Sequence, residues 1–167
     1  MLLEFNLQDI IESKLDIPWT DWFNIWLEDL SDSLPKTQEG EGFEVSLRLT
    51  DDSEIQSLNS TYRAQDKPTD VLAFAALEVN VPKLTELSCD PIYLGDIIIS
   101  VDTAKKQALE QSHSLQIELA WLASHGLLHL LGWDHPNLES LEAMLAKQAS
   151  LLKSVGIARS ALENGNL

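Results

Sequence analysis

Ser124-His125-Gly126-Leu127-Leu128-His129-Leu130-Leu131-Gly132-Trp133-Asp134-His135 holds three of the four histidines of this 167-residue chain. The apolar spacing from Glu118 to Leu131 predicts a helix, on which His125 and His129 stand one turn apart on one face, close enough to grip a single ion. Gly132 follows as the helix stop. A glycine there takes the left-handed backbone that reverses the chain, which carries His135 back toward the first two imidazoles. Leucines fill half of the remaining positions, so this helix is expected in the core.

Three neutral imidazoles suit zinc, at about 2.0–2.1 Å from each nitrogen, with a fourth position left to water as in catalytic sites. The expectation is one zinc per chain, held by His125, His129 and His135. The spacing His-x3-His-x2-Gly-x2-His is that of the metzincin peptidases, in which the residue after the first histidine is the glutamate general base. Here that residue is Gly126. The metal-binding half of the pattern is present and the proteolytic half is not. The competing reading makes these histidines ordinary core or boundary residues of a leucine-rich helix; three of them at ligand spacing argue against it.

The length suits one domain with a sizeable core, residues 1–167, and 44% hydrophobic residues is an ordinary content for a globular protein. No apolar run reaches the roughly 20 residues that span a bilayer, and Met1-Leu2-Leu3-Glu4-Phe5 lacks the basic region of a signal peptide. The expected location is the cytoplasm, with no membrane partner. The single cysteine, Cys89, has no partner for an internal disulfide and no histidine near it in sequence, so it reads as a surface or boundary thiol and not as a ligand. A net charge of −16 argues against nonspecific adhesion to nucleic acid or anionic membrane. RNA binding would have to rest on where the few cations sit.

Along the chain, a short opening strand precedes Pro18 to Leu34, where Trp19, Trp22, Trp26 and Leu30 recur at helical spacing. The tryptophan stripe is read as core packing over a docking surface. Pro35 to Gly42 is a polar linker. Phe43 to Thr50 alternates as a half-buried strand, and Asp51 caps a short helix that carries Ile55, Leu58 and Tyr62 to Arg63. Pro68 stiffens a polar connection into the strand Val71 to Ala75, and an irregular stretch runs from Glu78 to about Ile92. Leu94 to Val101 is nearly all apolar, the mark of a central strand covered on both faces. Asp102 is read as the cap of a helix to Gln111, Ser114 as the cap of the histidine helix, and Asn137 as the cap of a last helix to Val155. That last helix is expected to bury Leu138, Leu141, Leu145 and Leu152, with Gly156 as its stop and a fraying tail beyond. The sum is an α+β fold: one small mixed sheet packed with about five helices.

Several motifs stand in order: Tyr62-Arg63-x3-Lys67-Pro68-Thr69-Asp70-Val71-Leu72-x-Phe74, then Leu94-Gly95-Asp96-Ile97, then His113-Ser114, then His125-Gly126-x2-His129-x2-Gly132-x-Asp134-His135. From about Val45 to His135 the chain resembles the YbeY family of bacterial endoribonucleases. The resemblance implies an α+β fold and a metal-dependent endoribonuclease acting on single-stranded RNA. It further implies roles in ribosomal RNA maturation, especially of the small subunit, and in ribosome quality control. Zinc would be held by His125, His129 and His135, and Arg63 falls on the arginine taken to be functionally important. Two positions depart from the family pattern: Ala64, where glycine is frequent, and Ala73, where serine is frequent. Both put loop geometry in question more than the metal site.

The residues themselves are consistent with that chemistry. Zinc lowers the pKa of bound water toward about 7 and polarises a phosphoryl oxygen, and a guanidinium pairs with phosphate through two parallel hydrogen bonds. Arg63 suits the second role, against a surface ion pair with one of many acids. Lys67 is a weaker phosphate candidate beside the reading of a solvated lysine. Asp134 either orients a histidine or serves as a turn aspartate. His113 is read as structural, its ring bonding to the backbone. Arg48, Lys105 and Lys106 complete the cations near the expected sheet and metal helix. Two other functions remain open on sequence: a zinc metallopeptidase-like hydrolase, and a noncatalytic ribosome-assembly factor with structural zinc, its acidity suited to a basic protein partner.

Overall fold

The computed structural model describes residues 3–36, 41–76 and 91–157; Cys89, most of the irregular stretch from Glu78, and the tail after Ile157 lie outside them. The elements run β1 (Leu3–Asp9), α1 (Trp19–Asp29), a 3₁₀ turn (Ser31–Ser33), β2 (Phe43–Thr50), α2 (Asp52–Arg63), β3 (Val71–Ala75), β4 (Ile92–Ser100), α3 (Val101–Gln111), α4 (Leu115–Leu130) and α5 (Leu138–Ser154). The sheet order is β1-β2-β4-β3. β2 is parallel to both β1 and β4, whereas β3 runs antiparallel to β4, with Leu72 opposite Ile98 and Phe74 opposite Asp96. The mixed sheet and five helices make this an α+β domain.

Alternation in β2 sends Phe43, Val45, Leu47 and Leu49 into the main core, where they meet Ile97 and Ile99 of β4. β4 is interior, as its continuous apolar run requires: Ile98 points to the other face and forms a small second core with Ile55 of α2 and Leu72 of β3. The tryptophans of α1 are core residues. Trp19, Trp22 and Trp26 are buried, and the Trp26 indole donates to the Leu151 carbonyl of α5 at 2.9 Å, which satisfies its one polar atom.

α4 is buried nearly all round and lies on β3 and β4, between α3 and α5. Two glycines let it come so close. A Cβ on Gly126 would sit 2.7 Å from Ile97 Cγ2, so the backbone of this turn of helix rests directly on the Ile97 side chain. Gly95, at φ +139°, sits where β4 bulges against β2, and a Cβ there would lie 2.2 Å from the Phe74 carbonyl oxygen.

Local details differ from the sequence expectation in four places. α1 ends at Asp29, and the poor helix formers Ser31, Asp32 and Ser33 tighten into a 3₁₀ turn. α3 is capped by Ser100, whose hydroxyl accepts from the Thr103 amide, because Asp102 is used elsewhere, accepting from the Asp52 amide. α4 runs Leu115–Leu130 and so begins three residues before Glu118, directly after the expected Ser114 cap. In α5 the buried face is Met144, Gln148, Ala149, Leu151 and Leu152; Leu138 is 70% exposed, since the Asn137–Ser140 capping box turns it outward at the first position.

Gly126→Ala separates two opposing terms. Helix propensity alone would stabilise the variant by about 1 kcal/mol, whereas overpacking against a buried β-branched residue costs about 1–3 kcal/mol. Net destabilisation, read as a lower midpoint in urea with an unchanged slope, is the expected outcome; a more stable variant would show that α4 does not need this close approach.

Candidate metal centre

α4 presents His125 and His129 on one face, with ring centroids 4.5 Å apart and Nε2 atoms 3.0 Å apart. Leu131 leaves the helix, Gly132 takes φ +91°, and the Trp133 amide returns to the Leu128 carbonyl at 3.0 Å. That reversal brings the His135 ring to 6.3 Å from His125 and 5.8 Å from His129, centroid to centroid. One nitrogen from each of the three imidazoles lies within 4.8 Å of the others, a group that can hold a metal ion. Two nitrogens on a tetrahedral ion at about 2.0–2.1 Å would be about 3.3 Å apart, so the His125–His129 spacing suits coordination.

The tautomer of His125 is set by Gln148, a fully buried residue of α5. The Gln148 amide nitrogen donates to the Trp121 carbonyl at 3.3 Å, which leaves its Oε1 facing His125 Nδ1 at 3.3 Å. Because that oxygen only accepts, Nδ1 carries the proton and Nε2 keeps a lone pair toward the other imidazoles. Burial lowers the pKa of His125, against the opposing pulls of Gln148 and Asp70. His129 is lowered by burial and then by the neighbouring His125 and His135. Both rings are therefore held toward the neutral form that coordination needs. Gln148 escaped the sequence reading. Its signal was a polar residue in helical register with the buried Met144 and Leu151 of α5.

A cavity of about 510 Å³ opens over the histidines, lined by Arg63, Asp70, Ala73, His125, His129 and Asp134 among others. Arg63 ends α2. The next residue, Ala64, takes the left-handed conformation at φ 56°, which accounts for a glycine preference there and costs alanine about 1 kcal/mol. The Arg63 guanidinium lies 4.8 Å over the Phe74 ring and its Nη2 donates to the Ala73 carbonyl at 2.9 Å, so the side chain is aimed while its other N–H groups stay free of any protein partner among the described residues. Ala73 contributes its carbonyl to that aim and no hydroxyl to the cavity.

The remaining sequence candidates are distributed otherwise. Lys67 is exposed and does not line the cavity. Asp134 lines it, yet its carboxylate accepts from the backbone amide of His135 at 2.8 Å, the bond of a turn aspartate that steadies the returning loop. His113 bonds the carboxylate of Glu118 at 2.5 Å and not the backbone, because the helix that follows Ser114 places Glu118 beneath its ring. Burial raises the Glu118 carboxyl pKa, with His113 opposing. Arg48 is taken up by a two-pronged pair with Glu54 at 2.5 and 2.7 Å, and Lys106 lies toward Asp52. Neither lines the cavity.

The profile of the family described as Endoribonuclease YbeY matches residues 8–156. This chain belongs to the YbeY family. It is 60% identical over 139 residues to Endoribonuclease YbeY of Nostoc sp., covering 83% of this chain and 74% of the relative. It is 54% identical over 170 residues to the Endoribonuclease YbeY of Cyanothece sp., covering 98% of this chain and 99% of the relative. The solution structure of TM1509 from Thermotoga maritima is similar in fold, with a TM-score of 0.56 at 26% identity, over 92% of this chain and 89% of that one. The YbeY match spans the α2–β3 connection, β4 and the histidine helix, the segments that build the site.

Gln148→Leu keeps the shape of the core and removes the acceptor for His125 Nδ1–H. Metal affinity, measured by competition with a chromophoric chelator, should fall about 10–100-fold with the fold retained. An unchanged affinity would mean that Gln148 does not orient the ligand.

Proposed function

We propose that this chain is a zinc-dependent endoribonuclease that cuts single-stranded RNA, acting in the cytoplasm in late ribosomal RNA maturation, above all of the small subunit, and in ribosome quality control. The observation that carries the reading is a cluster of three imidazole nitrogens within 4.8 Å of one another, two of whose histidines, His125 and His129, line one cavity with an aimed arginine. A purely structural zinc site would not need a guanidinium held beside it. Membership of the YbeY family supplies the reaction class. Among the described residues no helix is long and apolar enough to cross a membrane.

His125, His129 and His135 are the proposed ligands of one zinc per chain. Such an ion supplies Lewis acidity toward a phosphoryl oxygen and makes a water acidic near neutral pH. The protein does the rest. Burial keeps His125 and His129 neutral, Gln148 fixes the His125 lone pair, and Asp134 holds the turn that presents His135. Arg63 is the proposed catalytic cation: anchored by Ala73 and Phe74, it offers its remaining N–H groups to the charge that builds on phosphate during cleavage. Lys67, four residues on, is the proposed contact to a neighbouring phosphate. A peptidase of the metzincin kind would place its glutamate at position 126, where the Cβ direction runs into Ile97.

The decisive comparison is cleavage of single-stranded RNA by zinc-loaded wild type and by His129→Ala, with circular dichroism to confirm folding. Cleavage should vanish in His129→Ala; activity that survives belongs to a contaminant. Arg63→Ala should lower the rate about 10²–10³-fold with zinc content unchanged, and Arg63→Lys should recover part of it, since lysine keeps the charge and loses the planar fork. A normal rate in Arg63→Ala would retire the assignment.

Charge limits how the substrate is held. With Arg48 paired to Glu54, Lys106 near Asp52 and Lys105 exposed on α3 outside the cavity, the candidate cations on the approach to the site are Arg63 and Lys67. At about 0.7 per contact on single strands, log affinity against log salt should have a slope on the order of −0.7 to −1.4. Free RNA binding should be weak, and a ribosomal particle or ribosome-associated protein would supply the missing affinity. Titrating RNA binding to His129→Ala with salt reads the slope directly; steep, tight binding would remove the need for a partner.

A further inference from the structure

A second cavity, of about 360 Å³, adjoins the metal centre and shares Asp70, Val71 and His125 with it. Its walls divide by chemistry. Trp121, one turn before His125 on α4, gives an aromatic surface, and Met144 and Leu145 of α5 give an aliphatic one. The polar lining holds the carboxylates of Asp70, Glu110 and Glu118, with His113 and the amides of Gln107 and Gln111, and Gln107 donates to Asp70 at 3.2 Å. The His113 side chain is only 7% exposed, and its Nδ1 is the one buried side-chain nitrogen or oxygen among the described residues that lacks a partner. Native proteins rarely leave such an atom unpaired. When the His113 ring is neutral and Glu118 ionised, Nε2–H donates to the carboxylate and Nδ1 is left with a lone pair.

We propose that this cavity is a nucleobase subsite for a nucleotide flanking the cleaved phosphate, and that it favours bases bearing an exocyclic amino group. The proposal rests on the endoribonuclease reading for the identity of its ligand. No lysine or arginine lines the cavity and three carboxylates do, so it repels phosphate and suits a neutral ring. The indole offers a face for stacking, which serves any base. The edge discriminates. Guanine, adenine and cytosine bring amino hydrogens to a lining in which three carboxylates outweigh the amide donors of Gln107 and Gln111, whereas uracil brings one N–H between two carbonyl oxygens that would face carboxylates. Sharing His125 and Asp70 with the metal centre places the subsite within one nucleotide of the chemistry.

Free nucleosides test this on the full-length, zinc-loaded protein, because without a phosphate they have nothing to offer Arg63. Ligand-observed NMR should show cytidine, adenosine and guanosine binding about tenfold more tightly than uridine, the value of roughly one hydrogen bond. Leu145→Trp fills the cavity from a half-buried position and should weaken cytidine binding at least about tenfold with zinc content unchanged. Glu118→Gln turns one acceptor into a donor while keeping a partner for His113, and should move the cytidine-to-uridine ratio toward uridine. Equal binding of uridine, an unaffected Leu145→Trp, an unmoved ratio in Glu118→Gln, or no saturable binding of any nucleoside would each overturn the subsite. Failure of the two readings is distinguishable: RNA cleavage without nucleoside discrimination sinks the subsite alone, and discrimination without cleavage sinks the nuclease assignment.

Discussion

The contact between α4 and β4 at Gly126 and Ile97 sets the depth of everything around the site. Because Gly126 brings no side chain to that contact, His125 and His129 start from a helix backbone seated directly on the Ile97 side chain. The flanking residues Leu127 and Leu128 are fully buried and lock the rotation of the helix about its axis. With depth and rotation fixed, the face that carries the two imidazoles has one direction left, toward the groove between β3 and the turn after α4. Arg63 reaches the same groove from the far side through the β3 carbonyl of Ala73. A change that lifted α4 off the sheet would therefore move the histidines against the arginine.

Much of this was legible because it is local. The i, i+4 pair, the glycine reversal and the third histidine lie within eleven residues, and a helix followed by a left-handed glycine leaves them little choice but to converge. The central position of β4 was legible for the same reason: an unbroken apolar run has no face to offer water. What escaped was long-range. Gln148 meets His125 across the α4–α5 packing, and nothing in either segment alone says that a glutamine on α5 will find that nitrogen. Helical periodicity does not hold at Leu138, because at the first position of α5 the capping box decides orientation. Asp102 misled because an acid before a helix is a good cap until another backbone amide, that of Asp52, claims it. Arg48 is no free cation, because folding brings Glu54 of the next element to face it.

The histidine spacing shared with metzincins shows how far a motif carries. Three ligands at that spacing need only a helix and a turn, and these are cheap to obtain on unrelated sheets. The glutamate needs room in front of the helix. Here that room is filled by Ile97, which is fully buried and opposite Ala73 of β3. The same packing that seats the histidines thus removes the place for the peptidase base, and the polar groups facing them come from β3, α2 and the turn.

The chain's acidity then has a definite consequence for recognition. At physiological ionic strength the screening length is about 8 Å, so acids elsewhere on the surface act weakly on a phosphate beside Arg63. Local groups decide, and among the described residues lining the metal cavity Arg63 is the only lysine or arginine while Asp70 and Asp134 are acids. A substrate cannot be retained there by charge in bulk. It has to be retained by an oriented guanidinium, by the ion the histidines can hold, and by contacts to parts of the nucleotide that carry no charge. Uncharged contacts distinguish one base from another, which phosphate contacts do not, so a weakly attracting site of this kind gains selectivity from the same feature that costs it affinity.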